Sequence, residues 1–469
     1  MTEPRRPRFV LIALLVASAF FMENLDGTVI ATALPQMAPP LRTTAIALST
    51  GMSAYMLTLA VFIPLSGWIA DRFGARTIFC LAIAIFTLSS ILCGLSSRLW
   101  EFTAARVLQG IGGSMMVPVG RLVVLRNTEK KDLIHSIAYI TWPGLVAPIL
   151  GPPLGGFITT YASWRWIFFL NVPLGIAGIV LAAVLVPNHR ADERQSLDWL
   201  GFLLSGLSCF SLMYGLDFMG QRQIPWREVG LLWSFSALCA LLAVLQARRH
   251  PHPLIDLSAL RIPSFAVMIF GGSLFRIAIG ATPFLLPMLF QVGFGMNAFA
   301  SGLLMLALFA GNLGMKSITT PVLRRFGFRP VLLTNGLLAA FSIFVYGLLL
   351  PAMPKALMAA VLFFSGLCRS MQFTSLNTLA FADVPAERMT GANTFASTMM
   401  QMTMGMGIGV GAVALHMAAL AHGRDTTALQ VADFHLAFFL IAAIALIAVL
   451  DFLKLDRNAG SVVSGHRPA

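Results

Sequence analysis

The chain has 469 residues, of which 58% are hydrophobic and 11% charged, with a mean hydropathy of +0.82. A soluble globular protein carries about 25% charged residues, so this composition excludes a water-soluble enzyme or binding domain and puts most of the chain in lipid. The net charge of +13 would suit a nucleic-acid binder in a soluble chain, but between apolar spans it reads as basic loops on one side of a membrane, and no nucleic-acid partner is expected.

A helix crosses the hydrocarbon with ~20 apolar residues. Runs broken by charge, Pro or Gly clusters predict fourteen spans, at about 9–34, 44–70, 75–96, 99–124, 134–160, 164–186, 197–217, 228–247, 263–291, 298–321, 329–350, 355–380, 390–419 and 433–453. The alternating polarity of a lipid-facing barrel is missing, so the expected fold class is an all-α membrane protein. Of the 32 Lys and Arg residues, twenty fall in the segments on the side of the amino terminus, seven on the opposite side and five inside spans. The positive-inside rule then predicts a multi-pass protein with both termini cytoplasmic. A basic start followed by Ala17-Ser18-Ala19 resembles a signal peptide, but the apolar run continues, and an uncleaved first helix is expected.

The first span holds Glu23 and Asp26 where its helix is still in lipid. A carboxylate at the bilayer centre costs ~2.5–3.5 kcal/mol on insertion scales, so both acids need a cation, a proton or an arginine partner. Residues three apart share a helix face, and both are expected to point into one water-lined cavity. Arg106, Arg276, Lys316 and Arg369, all inside other apolar runs, are the candidate partners.

After the second span comes Gly67-Trp-Ile-Ala-Asp71-Arg72-Phe-Gly74-Ala-Arg76. Gly67 allows a neighbouring helix to approach closely and Gly74 allows a tight turn. Asp71 is placed to latch one conformation against an arginine or a helix N-terminus, with Arg72 and Arg76 completing a gating loop. On the fourth span, Arg106-Val-Leu-Gln109-Gly-Ile-Gly-Gly puts a guanidinium several residues inside the membrane, where it keeps its charge and calls for Glu23 or Asp26. The fifth span clusters Gly144, Pro148, Gly151, Pro152, Pro153, Gly155 and Gly156, the mark of a pivot or seal at a helix interface.

An internal repeat divides the chain. Arg72-Phe73-Gly74-Ala75-Arg76 follows the second span and Arg325-Phe326-Gly327-Phe328-Arg329 follows the tenth. If those spans correspond, residues 1–187 form a six-helix bundle, 188–262 a cytoplasmic linker with two extra spans, 263–455 a second six-helix bundle and 456–469 a tail. In the second half, Arg276, Lys316 and Arg369 are intramembrane cations that could form an anion site or offset Glu23 and Asp26. With Gln109, Asn377, Met400 and Gln401 they are the cavity candidates. Five methionines from Met399 to Met406 suit an adaptable wall, although ordinary helix packing explains them as well.

The phosphate loop of an ATPase, metal-ligand spacing and a placed triad are all missing. The five cysteines lie in apolar runs without paired spacing. Neither a cofactor, a metal, a disulfide nor an enzymatic activity is expected.

LDGTVIATALP (25–35), GWIADRFGAR (67–76), RVLQGIGG (106–113) and GPPLGG (151–156), with MMVPVGRL (115–122) and YASWRWIF (161–168), resemble motifs of the major facilitator superfamily and, within it, of the fourteen-helix drug:proton antiporters. The resemblance implies a bacterial inner-membrane carrier that exchanges protons for amphipathic small molecules, cationic ones included. It makes Asp26 the membrane-embedded acid, Arg106 the buried base tied to coupling and Asp71 the gating latch. The same helices also fit a symporter or uniporter that imports a nutrient, and, less well, a receptor or scaffold without transport. The need for a periplasmic adaptor is not legible in the chain.

Overall fold

A computed structural model describes residues 5–127, 133–188, 197–219, 224–250, 253–254, 257–385, 388–424, 428–456, 459–460 and 463. The loop bases Lys130, Lys131, Arg190, Arg194 and Arg222, and most of the 456–469 tail, lie outside the described residues.

Among the described residues the chain is helical throughout, without strands. Its long helices are α1 (Arg5–Val29), α2 (Ser49–Phe73), α3 (Ala75–Leu95), α4 (Leu99–Asn127), α5 (Leu133–Tyr161), α6 (Asn171–Leu185) and α7 (Trp199–Met219). They continue with α8 (Trp226–Arg249), α9 (Pro263–Met288), α10 (Ala298–Phe326), α11 (Phe328–Tyr346), α12 (Lys355–Ala382), α13 (Met389–Ala421) and α14 (Val431–Phe452). Among the described residues thirteen segments are long and apolar enough to cross a membrane, one of them only with the short helix Trp166–Phe169 and α6 taken together, and α5, at 29 residues, is as long as any helix but α13. In hydrocarbon a helix satisfies every backbone group within its own segment, which is why near-continuous apolar runs fold this way. Lipid, not a second protein layer, faces the outer Leu, Phe and Val side chains such as Leu81, Leu88, Val184 and Leu241.

The expected spans agree with the helices except at two places. Residues 34–48 leave α1 through a short helix, Leu34–Met37, and turns, so α2 begins at Ser49. The sixth span breaks at Leu170, between a short helix Trp166–Phe169 and α6.

Packing repeats between the two halves. Within the first, α1 packs on α5 and α6, α3 on α4 and α6, and α2 on α4. Eight helices later the same pairs recur: α9 with α13 and α14, α11 with α12 and α14, and α10 with α12. Two further pairs cross between the sets, α5 on α10 and α2 on α13, and a twofold relation exchanges them. The helices α7 and α8 pair with each other, and α7 leans on both α2 and α13. Gly74 and Gly327 occupy corresponding turns, α2 to α3 and α10 to α11, both with positive φ (98° and 76°). A side chain is strained there, so the repeated glycine has a backbone reason.

A cavity between the helix sets with a charged core behind it

The fourth-span arginine meets its acid. Arg106 Nη1 on α4 donates to Asp26 Oδ2 on α1 at 2.6 Å, and both side chains are buried, at 1% and 2% exposure. Three more buried side chains complete the group. Gln109, one turn along α4, donates from Nε2 to Asp26 Oδ1 (3.0 Å) and accepts from Arg106 on its Oε1 (2.5 Å). Asn171, the first residue of α6, donates to Asp26 Oδ1 (3.0 Å), and Ser90 on α3 accepts from both amides (2.9 and 3.2 Å). Four helices thus meet in one buried network around the Asp26 carboxylate. A buried charge is tolerable only when paired and hydrogen-bonded in this way.

Asp26 does not share a cavity with Glu23. A cavity of about 340 Å³ lies at mid-depth between the two helix sets, and Asp26, Arg106 and Gln109 are not in its wall. The ring of Tyr55 separates them: it lines the cavity and covers the guanidinium of Arg106, whose carbon is 4.1 Å from the ring centroid. The expectation that both acids face one hollow is met by Glu23 alone, because three residues along α1 is about 300° of helical turn, and that remaining offset turns Asp26 into the bundle.

The cavity wall is built from both halves. From the first come Glu23, Asn24, Gly27 and Thr28 of α1, Tyr55 and its methionine neighbours Met52 and Met56 of α2, and Gly144 and Pro148 of α5. From the second come Gly280 and Pro283 of α9, Asn312 and Lys316 of α10, Arg369 and Phe373 of α12, and Gln401 and Met404 of α13. Of the cavity candidates, Lys316, Arg369 and Gln401 are in the wall. Arg276 is buried behind it at 3% exposure, with Nη2 donating to Asn377 Oδ1 at 3.2 Å, so those two form a pair inside the second half. Met400 is not in the wall; Met404, one turn on, is.

Contacts between the halves gather toward the end away from the Gly74 turn. The α5 cluster is interleaved there: a Cβ on Gly151 would strike Thr28 of α1, one on Gly155 the Val29 carbonyl, and one on Gly156 the Ala298 carbonyl of α10. Gly302 of α10 abuts the Pro152 carbonyl in return. Phe299 N donates to Thr160 Oγ1 (3.1 Å), and its ring packs edge-on against Phe157 and Tyr161. Gln291 Nε2, just past α9, donates to the Thr32 carbonyl (2.9 Å), and Gln36 Nε2 donates to Gln291 Oε1 (2.9 Å). By contrast, a Cβ on Gly67 meets nothing within 4 Å. The close helix contact expected at Gly67 is not made in this conformation, since the halves touch at the other end. In the turn between α2 and α3 Arg72 lies over Trp68, 5.3 Å from its ring, Arg76 is half-buried at the start of α3, and Asp71 is half-buried at the end of α2.

Tyr55, Ser90, Asn171 and Asn24 were not legible as site residues. Tyr55, Ser90 and Asn171 are polar side chains in apolar runs whose partners lie on other helices, and Asn24 stands between two acids, Glu23 and Asp26, that carry the stronger signal. The only signal at Asn171 is the position of one amide between Leu170 and Val172.

A mid-depth cavity between two pseudo-equivalent sets of helices, lined by both and closed at one end, defines a membrane transporter of the secondary type rather than an enzyme. Comparison with known proteins agrees: residues 16–408 match the Major Facilitator Superfamily, and the chain belongs to that family. It is 37% identical over 408 residues to the multidrug resistance protein MdtD of Pectobacterium carotovorum, covering 87% of each chain. To the MdtD of Citrobacter koseri it is 36% identical over 460 residues, covering 97% of this chain and 96% of that one. Among solved structures, a D-xylose–proton symporter superposes with a TM-score of 0.68 over 97% of this chain and 99% of its own, at 14% identity, a likeness of fold alone.

Proposed function

We propose that the chain exports amphipathic small molecules across the bacterial inner membrane in exchange for protons, by alternating access of the cavity to the two sides. The observation that carries this is Glu23: a carboxylate in the cavity wall, at mid-depth, whose buried Oε2 has no hydrogen-bond partner among the described residues. Such a group is satisfied by a proton or by a substrate's donor, one at a time, and that exclusion couples the two fluxes. Apolar neighbours, Met52, Met56, Phe309 and Phe373, give the body of a substrate its contact area.

On this reading residues 1–187 and 263–455 are the two moving bundles, with 188–262 as a linker carrying two extra helices and 456–469 as a tail. Asp26 and Arg106 form a rigid brace behind Tyr55 that reports the state of the cavity, while Glu23 carries the proton. The segment Gly67 to Arg76 gates one end, and Gly144 to Gly156 seals the other. The excess of Lys and Arg supports a cytoplasmic Gly74 end and cytoplasmic termini, and on that orientation the structure is an inward-facing state. The relatives' multidrug resistance name supports efflux of several substrates rather than import of one nutrient.

The experiment is transport of a compound panel by purified protein in proteoliposomes under an imposed pH gradient, with and without an uncoupler. Substrate movement that follows the gradient and collapses with the uncoupler supports the reading. Movement indifferent to the gradient overturns it.

A further inference from the structure

The charges of the cavity are divided between the halves. The first half offers one, the carboxylate of Glu23 on α1; the second offers two cations, Lys316 on α10 and Arg369 on α12. Among the described residues no ion pair joins them. Lys316 Nζ donates to Thr374 Oγ1 at 3.1 Å, while Arg369 has a buried Nη1, and Glu23 a buried Oε2, with no hydrogen-bond partner among those residues. The buried carboxylate of Asp26, by contrast, is paired closely, with Arg106 at 2.6 Å. Charged groups of both signs, contributed by different halves to the wall of a cavity of about 340 Å³ that methionine and phenylalanine also line, suit a ligand that carries the complementary charges.

We propose that the preferred substrates are zwitterionic amphipaths, with the cationic group on Glu23 and Asn24, the anionic group on Lys316 and Arg369, and the apolar body on Met52, Met56, Phe309 and Phe373. This rests on the exporter reading above and narrows its substrate class. A substrate ammonium displaces the proton from Glu23, so exchange is retained, while the anionic end binds groups that exchange nothing. A simple cation leaves both bases unpaired and stands against their repulsion; a simple anion cannot displace the proton. A ligand that spans the cavity also ties one bundle to the other, which is what closure around it needs.

The test uses one fluorescent aryl scaffold in three forms, carrying a primary ammonium group, a carboxylate, or both. Binding to detergent-purified protein and uptake into proteoliposomes are measured for wild type, E23Q, K316Q and R369Q, with folding checked by the elution profile and thermal unfolding. A hydrogen bond to a charged group is worth about 1.5–3 kcal/mol, so each matched charge is expected to change affinity by about tenfold or more. Wild type should bind the doubly charged form at least about tenfold better than either other form. E23Q should lose that advantage over the carboxylate form, and K316Q or R369Q should lose it over the ammonium form. If wild type prefers a singly charged form, or all four proteins share one order of preference, the assignment is overturned. Should the charge preferences cross over as expected while no probe moves protons, this assignment stands and the exporter reading fails. Gradient-driven transport with no preference among the forms does the reverse: the exporter reading stands and the zwitterion assignment falls.

Discussion

The Asp26–Arg106 brace sets up a double-mutant test. In D26N the residue at 26 keeps one acceptor, but its new amide faces the donors Gln109 Nε2 and Asn171 Nδ2, and Arg106 loses its counter-charge. In R106Q the carboxylate keeps two amide donors and loses its only cation partner among the described residues. Removing one partner of a buried pair costs about 3–5 kcal/mol, because the remaining charge is left in low dielectric. Each single variant should therefore be destabilised by about that amount, and the double variant, with no uncompensated ion, by much less than the sum. A coupling energy of about 3 kcal/mol is expected, at the upper end for contacting residues. Unfolding of the purified proteins in mixed micelles gives all four corners of the cycle. Additive losses would show that the two side chains do not act as a pair and would remove the brace from the account.

Three further outcomes follow from the same geometry. Gly302→Ala puts a methyl against the Pro152 carbonyl, and overpacking of this kind costs about 1–3 kcal/mol. It should shift the protein away from the state in which α5 and α10 are in contact, read as increased labelling of a cysteine placed at Phe299. Gly74→Ala should lower stability by about 1–3 kcal/mol through its φ of 98° and the contact of its new Cβ with Asn188, while Gly67→Ala, with open space around its Cβ, should leave the stability of this state unchanged. Tyr55→Ala should uncover the Arg106 guanidinium to the cavity, seen as faster hydrogen exchange at the side chain of Arg106 and a loss of transport, whereas Tyr55→Phe, which keeps the ring and removes a hydroxyl with no partner among the described residues, should be nearly neutral.

How much of this was legible in the sequence depends on the kind of signal. Lipid imposes length and hydropathy, so the fourteen helices and most of their ends could be read from runs of residues, and the repeated Arg-Phe-Gly turn marked the relation between spans two and ten. Arg106 was legible because an arginine in an apolar run calls for a partner and two acids lie within an earlier span of the same half. The choice between Glu23 and Asp26 was not, since both lie on one helix and only the rotation of α1 against α4 and α6 decides it. That rotation comes from packing, from Gly151 and Gly155 pressed on Thr28 and Val29, and no spacing rule within α1 contains it. Gly67 shows a second limit. The motif records a contact, but a sequence does not say in which conformation that contact is made.

On the proposed reading, Glu23 exchanges its proton for substrate while Asp26 stays committed to Arg106. The direct measurement is proton release from purified protein in weakly buffered detergent solution on addition of a transported substrate. The account predicts a stoichiometric burst from wild type near neutral pH and none from E23Q that still binds the substrate. An undiminished burst from E23Q would contradict it.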